Sequence, residues 1–117
     1  MYGLGPNYRF HLYNGSVDMR KGFDGLCGVI QNELKRTPTD GSAYVFINKG
    51  RDKMKILYWD GTGFWLYYKR LEAGRFEPVS RKPITHKSIQ ITHTTLLAII
   101  EGITLKKISL NRRYNRT

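Results

Sequence analysis

The chain has 117 residues, enough for one domain, with 20 Lys+Arg against 9 Asp+Glu, a formal net charge of +11 and a pI near 10.0. Hydrophobic residues at 40% and aromatics at 13% exclude a disordered tail, and the single cysteine, Cys27, excludes an internal disulfide and a Cys-based zinc knuckle. Charge of this sign and size selects phosphate polymers, an anionic membrane or an acidic protein as the partner class, although a basic protein can also carry it without any specific site.

The opening MYGLGPNYRF lacks the charged n-region and apolar h-region of a secretory signal. No later stretch reaches the ~18 apolar residues that a membrane span needs. The expectation is a cytoplasmic protein with no membrane partner, nucleoid-associated when bound to DNA. Tyr8 to Tyr13 alternates as a strand does, and Asn14-Gly15 ends it with a turn signal. Asp18 then reads as an N-cap. From Met19 the apolar positions Phe23, Leu26, Cys27, Ile30 and Leu34 form one helical stripe, which predicts a helix over about 19–35. Gly22, Gly25 and Gly28 each weaken that helix by about 1 kcal/mol relative to Ala, so packing must hold it, and a close approach to a sheet would use the missing side chains.

After the loop Thr37-Pro38-Thr39-Asp40-Gly41, three strands are expected in succession: Ala43–Lys49, Lys53–Asp60 and Gly63–Arg70. Gly50-Arg51-Asp52 and Asp60-Gly61-Thr62-Gly63 connect them with residues suited to tight hairpins. Glu72-Ala73-Gly74 turns the chain, and Arg75 to Pro78 leads into an irregular basic stretch through Pro83. Ser88–Ile91 reads as a short strand. Thr92 caps a last helix over about 93–101 that carries Leu96, Leu97, Ile99 and Ile100, with Gly102 as its stop. The fold class is α+β: a small antiparallel sheet built on a three-strand meander, about 43–70, packed with two helices. Residues 1–104 form one compact domain, and 105–117 a basic, mobile tail.

Side chains alternate across a strand, so the meander has two faces. If its loops keep an even register, residue 59 faces 64 and residue 57 faces 66. One face then carries Ala43, Val45, Ile47, Met54, Ile56, Tyr58, Trp65, Tyr67 and Lys69, and should pack on the helices. The other mixes Tyr44, Phe46, Leu57, Trp59, Phe64, Leu66 and Tyr68 with Lys53, Lys55 and Arg70. Cations neutralise phosphates while ring faces stack on bases, so this mixture suits single-stranded or distorted nucleic acid. Aromatic cross-strand pairs are also ordinary sheet glue. At the start of the first helix, Arg20 and Lys21 stand beside free backbone N–H groups and could hold a phosphate; alternatively both point into solvent, or Arg20 pairs with Asp18.

Nothing suggests catalysis. Two-metal chemistry needs converging carboxylates. Here Asp40, Asp52 and Asp60 sit in turns, where Asp bonds to the backbone, and Asp18 is explained as a cap. His11, His86 and His93 lack metal-ligand spacing, Cys27 lies on the apolar stripe, and no phosphate-cradling glycine loop occurs. The chain is read as no enzyme, with no cofactor and no metal.

Three segments carry a family resemblance: DMRKGFDGL at 18–26, KILYWDGTGFWLYYKRLEAGRF at 55–76, and LLAIIEGI at 96–103. They resemble the accessory protein encoded by the second open reading frame of insertion sequence 66-type bacterial transposable elements, the TnpB accessory type. The stretch between Glu77 and His93 departs from the family pattern. The resemblance implies a non-catalytic role assisting transposition beside a cognate transposase and a second accessory protein, with no agreed active site to transfer. Two functions follow as expectations. One is binding of nucleic acid, DNA at the element ends, through Lys53, Lys55, Trp59, Lys69, Arg70 and Arg75, with Arg20 and Lys21 adding phosphate contacts and Arg112, Arg113 and Arg116 a flexible arm. The other is docking on the transposase without sequence-specific DNA binding.

Overall fold

Alternating and helical patterns resolve into five strands and two helices: β1 (Phe10–Ser16), α1 (Phe23–Asn32), β2 (Ala43–Ile47), β3 (Lys53–Trp59), β4 (Phe64–Arg70), β5 (Ser88–Ile91) and α2 (His93–Ile100). The structure is a computed structural model and describes residues 4–77 and 85–101. The basic stretch through Pro83, the Gly102 stop and the tail with Arg112, Arg113 and Arg116 lie outside the described residues.

The strands form one sheet in the order β4-β3-β2-β1-β5. Its meander keeps the even register: Ala43 pairs with Tyr58, Leu57 with Leu66, and Trp59 with Phe64. The expected antiparallel sheet is in fact mixed, because β1 runs parallel to β2. Parallel neighbours need a long crossover, and α1 with its flanking loops supplies it. β5 closes the other edge antiparallel to β1, with Phe10 opposite Ile91 and Leu12 opposite Ile89.

Each face of the sheet receives one helix. The aliphatic face packs Phe10, Leu12, Val45, Ile47, Ile56 and Tyr58 against Leu96 and Ile99 of α2. On the opposite face, of the two readings of its rings, ligand surface or sheet glue, the second holds at its centre: α1 covers it, burying Tyr44, Phe46 and Leu57 against Leu26 and Ile30. The reason is energetic. Each fully buried side chain of this size contributes about 1.5–3 kcal/mol, so the rings of that face are core material wherever a helix can reach them.

The helix boundaries follow local hydrogen bonding. Asp18 caps a turn instead of the helix, its Oδ1 accepting from the Arg20 N–H at 2.8 Å and its carbonyl from the Lys21 N–H at 3.1 Å. That moves the start of α1 from Met19 to Phe23, with Gly22 as an N-cap that supplies no side-chain bond. At the other end Lys35 adopts φ 55° and the Arg36 N–H reaches the Ile30 carbonyl, a left-handed closure of the helix. The three glycines do not meet the sheet: a Cβ at Gly25 would touch the Lys21 side chain at 3.0 Å, and one at Gly22 would meet nothing within 4 Å. Thr92 does cap α2, its hydroxyl accepting from the Thr95 N–H at 3.1 Å. Thr92→Ala lowers stability by about 1 kcal/mol, read as an unchanged slope and an earlier midpoint in urea unfolding.

His11 on β1 is 6% exposed and stacks on Tyr44 with ring centroids 5.4 Å apart. Its Nε2 and the Ser42 hydroxyl have no hydrogen-bond partner among the described residues. Burial pushes the imidazole below its ordinary value of 6.5; Arg36 and Arg9 add to the effect and Asp40 opposes it. An unfolded chain therefore takes up a proton near pH 6.5 that the folded chain takes up only at lower pH. Stability is complete above 6.5 and declines as pH falls from there to the folded value. The urea midpoint of the wild type falls across that interval, and His11→Gln flattens the decline.

Candidate nucleic-acid interface

The β2–β3 turn and the turn before α1 meet at one end of the sheet. Asn48 organises the first: its Oδ1 accepts from the Asp52 and Lys53 N–H groups at 3.1 and 2.9 Å, and its Nδ2 donates to Asp52 Oδ1 at 2.7 Å. Arg51, not Gly50, takes the left-handed position of this turn, at φ 58°. The chain after β4 locks this turn from outside. Leu71 N–H donates to the Asp52 carbonyl, Phe76 N–H to the Arg51 carbonyl, Arg51 Nε to the Phe76 carbonyl, and the Phe76 ring is fully buried.

Lys55 fastens the second turn. Its side chain is 6% exposed, and its Nζ donates to the Met19 and Lys21 carbonyls at 2.8 Å each, 4.7 Å from the Tyr68 ring centroid. The residue expected on an open basic surface is therefore inside, with its aliphatic stem buried and its charge spent on two carbonyls. Between the two turns lies a cavity of about 580 Å³ whose lining includes Asp18, Arg20, Lys49, Lys53 and Tyr68.

Arg20 and Lys53 thus come together, joined by two residues the sequence reading left out of the site, Lys49 and Tyr68. Arg20 lies in the turn ahead of α1 rather than in its first helical turn. Its side chain is 92% exposed and bidentate to Asp18, with Nη2–Oδ2 at 2.6 Å. Those hydrogen bonds hold the Asp18 carboxyl down at about 2 and raise the guanidinium. Lys53 pairs with Asp52 at 3.2 Å. Lys49 is exposed and, like Lys21 and Arg75, makes no ion pair among the described residues. Arg70 stands opposite Lys53 across the β3–β4 ladder, exposed and paired with Glu72 at 3.0 Å.

Other expected site residues lie elsewhere. Lys69 belongs to the α2 face and donates to the Ile100 carbonyl at 2.8 Å, a cation on the last turn of the helix. Trp59 is half-buried against Phe64, centroids 5.0 Å apart, at the opposite end of the ladder from Lys53. They are six residue steps apart along β3, about 20 Å at ~3.4 Å per residue. There Asp60 closes the β3–β4 turn: Oδ1 accepts from Thr62 and Gly63 N–H groups, Oδ2 from Trp65 Nε1 at 2.8 Å, and the carboxyl is held at about 2.

Among the described residues no three His, Cys, Asp or Glu side chains gather as a metal site, and no helix is long and apolar enough to cross a membrane. A family model described as IS66 Orf2 like protein matches residues 8–110. The chain belongs to that family. It is 40% identical over 76 residues to the uncharacterized protein y4hO of Sinorhizobium fredii, covering 65% of this chain and 66% of that relative. It is 36% identical over 76 residues to the uncharacterized protein y4jC of the same organism, covering 65% of each. The chain thus spans a little under two-thirds of the length of these curated relatives. No solved structure matches it.

Proposed function

We propose that this IS66 Orf2-like protein is a non-catalytic accessory factor that binds nucleic acid, DNA at the element ends, during transposition. The observation that carries the reading is the convergence of Arg20, Lys49 and Lys53 on one groove, with Arg70 opposite Lys53, in a chain of net charge +11. Exposed ion pairs such as Arg20–Asp18 contribute little and are screened by salt, so a phosphate can compete for the cation. Fluorescence anisotropy across a salt series tests it, comparing the element's terminal repeats with scrambled duplex. Preference for the repeats, with a log-log salt slope of about 0.9 per phosphate neutralised, supports an end-binding factor. Charge reversal at Lys49 and Lys53 together lowers affinity more than reversal at Arg112 and Arg113; the opposite order moves the main site to the tail.

A second reading is docking on the cognate transposase, or on a second accessory protein, without sequence-specific DNA binding. It is favoured by β4, an edge strand that pairs only with β3 among the described residues and exposes Trp65 at 44%. Edge strands accept an added strand from a partner. A pull-down with the transposase that survives nuclease digestion supports this reading, and loss on digestion makes DNA the bridge.

A further inference from the structure

The basic groove contains a ring as well as charge. Tyr68 lines it at 54% exposure, more than any other large hydrophobic side chain among the described residues. Its ring is braced by the Lys55 ammonium 4.7 Å from the centroid, and that ammonium is itself fixed by two carbonyls. Tyr68 sits on a strand, with its position set by the Lys55–Tyr68 rung of the ladder. An exposed ring on a rigid element, backed by a buried cation and flanked by Arg20, Lys49 and Lys53, is more than sheet packing requires. The ring loses burial by being there.

We propose that this groove binds single-stranded DNA, with one base stacked on Tyr68 and the neighbouring phosphates held by Arg20, Lys49 and Lys53. The inference rests on the nucleic-acid reading above and adds the form of the ligand. A base can lay its face on a protein ring only when it is not stacked between its own neighbours, so the ring rewards unpaired strands while the cations serve any phosphate backbone. The groove is open to solvent, and its volume of about 580 Å³ has room for a nucleotide or two. The acids at the rim do not oppose this. Asp18 and Asp52 each already hold a cation of the groove, and Lys49 remains for phosphate alone.

The test compares the full chain with Tyr68→Ala, Tyr68→Phe and the Lys49→Glu/Lys53→Glu double variant on a fluorescein-labelled single strand and on the duplex of the same sequence. Tyr68→Ala weakens single-strand binding by about tenfold and leaves duplex binding within about twofold, Tyr68→Phe restores single-strand binding, and the double variant weakens both. Wild-type protein also photocrosslinks an iododeoxyuridine-containing single strand at Tyr68. Equal loss on both probes in Tyr68→Ala, no loss on either, or a crosslink mapped away from the groove overturns the stacking site while leaving nucleic-acid binding intact. A wild type that binds neither probe at low salt overturns the broader reading as well.

Discussion

Replacing Lys55 with methionine lowers the unfolding free energy by about 2–3 kcal/mol, whereas Lys53→Met changes it by less than about 0.5 kcal/mol. The two lysines are one strand period apart and share a face, yet their surroundings differ. Lys53 and its Asp52 partner are both partly exposed, a pair of small net worth. Lys55 is 6% exposed and supplies the donor for both the Met19 and Lys21 carbonyls. Methionine preserves the buried stem, so the loss isolates the charged hydrogen bonds and the contact with Tyr68. Urea unfolding of the two variants reads the difference directly. Both variants lose DNA affinity, but by different routes: Lys53→Met through its lost charge, and Lys55→Met through a turn that no longer holds Arg20 in place. Equal stability of the two variants would contradict the bridging role of Lys55.

The same pair shows what the sequence makes legible. Alternation along 43–70 and the turn residues around Asp60 and Gly61 specify the meander, and the observed register follows from them residue by residue. Thr92 is recognisable as a cap because the pattern after it is unambiguously helical. Alternation assigns a face, however, and says nothing about what covers that face. It places Lys53, Lys55 and Trp59 on one face, along which the fold distinguishes a partly exposed cation, a buried one and a ring about 20 Å from the first. The parallel pairing of β1 with β2 is also absent from local pattern, since a strand with Phe10 and Leu12 on one side fits either direction. Asp18 misleads for a chemical reason: the same carboxylate that caps helices also closes turns, and here the Arg20 N–H is nearer at hand than a helical one. Arg20 reaches Lys49 and Lys53 only because turns about thirty residues apart in the chain come together, which no window of the sequence contains.

Phe76→Ala lowers the unfolding free energy by about 3–4 kcal/mol, the largest effect expected of any single substitution outside the sheet. Its ring is fully buried in the cluster formed with Leu96 and Ile99, although it lies on a connecting segment beyond the last residue of the meander. Its backbone carries a second role, since the Phe76 N–H and carbonyl both bond to Arg51. Arg51 holds φ 58°, a conformation costing about 1 kcal/mol for a residue with a side chain, and the clasp by Phe76 offsets that cost. Removing the ring releases the clasp and lets the β2–β3 turn, with Lys49 and Lys53, relax away from Arg20. Phe76→Leu separates the two consequences. It restores most of the apolar contact and therefore most of the stability, and at a temperature where both variants are folded it keeps DNA affinity near that of the wild type, while Phe76→Ala weakens it. Amide exchange at residues 48–53 gives the independent check: faster exchange there in Phe76→Ala than in Phe76→Leu follows from a turn held by the segment behind it, and unchanged exchange would show that the turn stands on Asn48 alone.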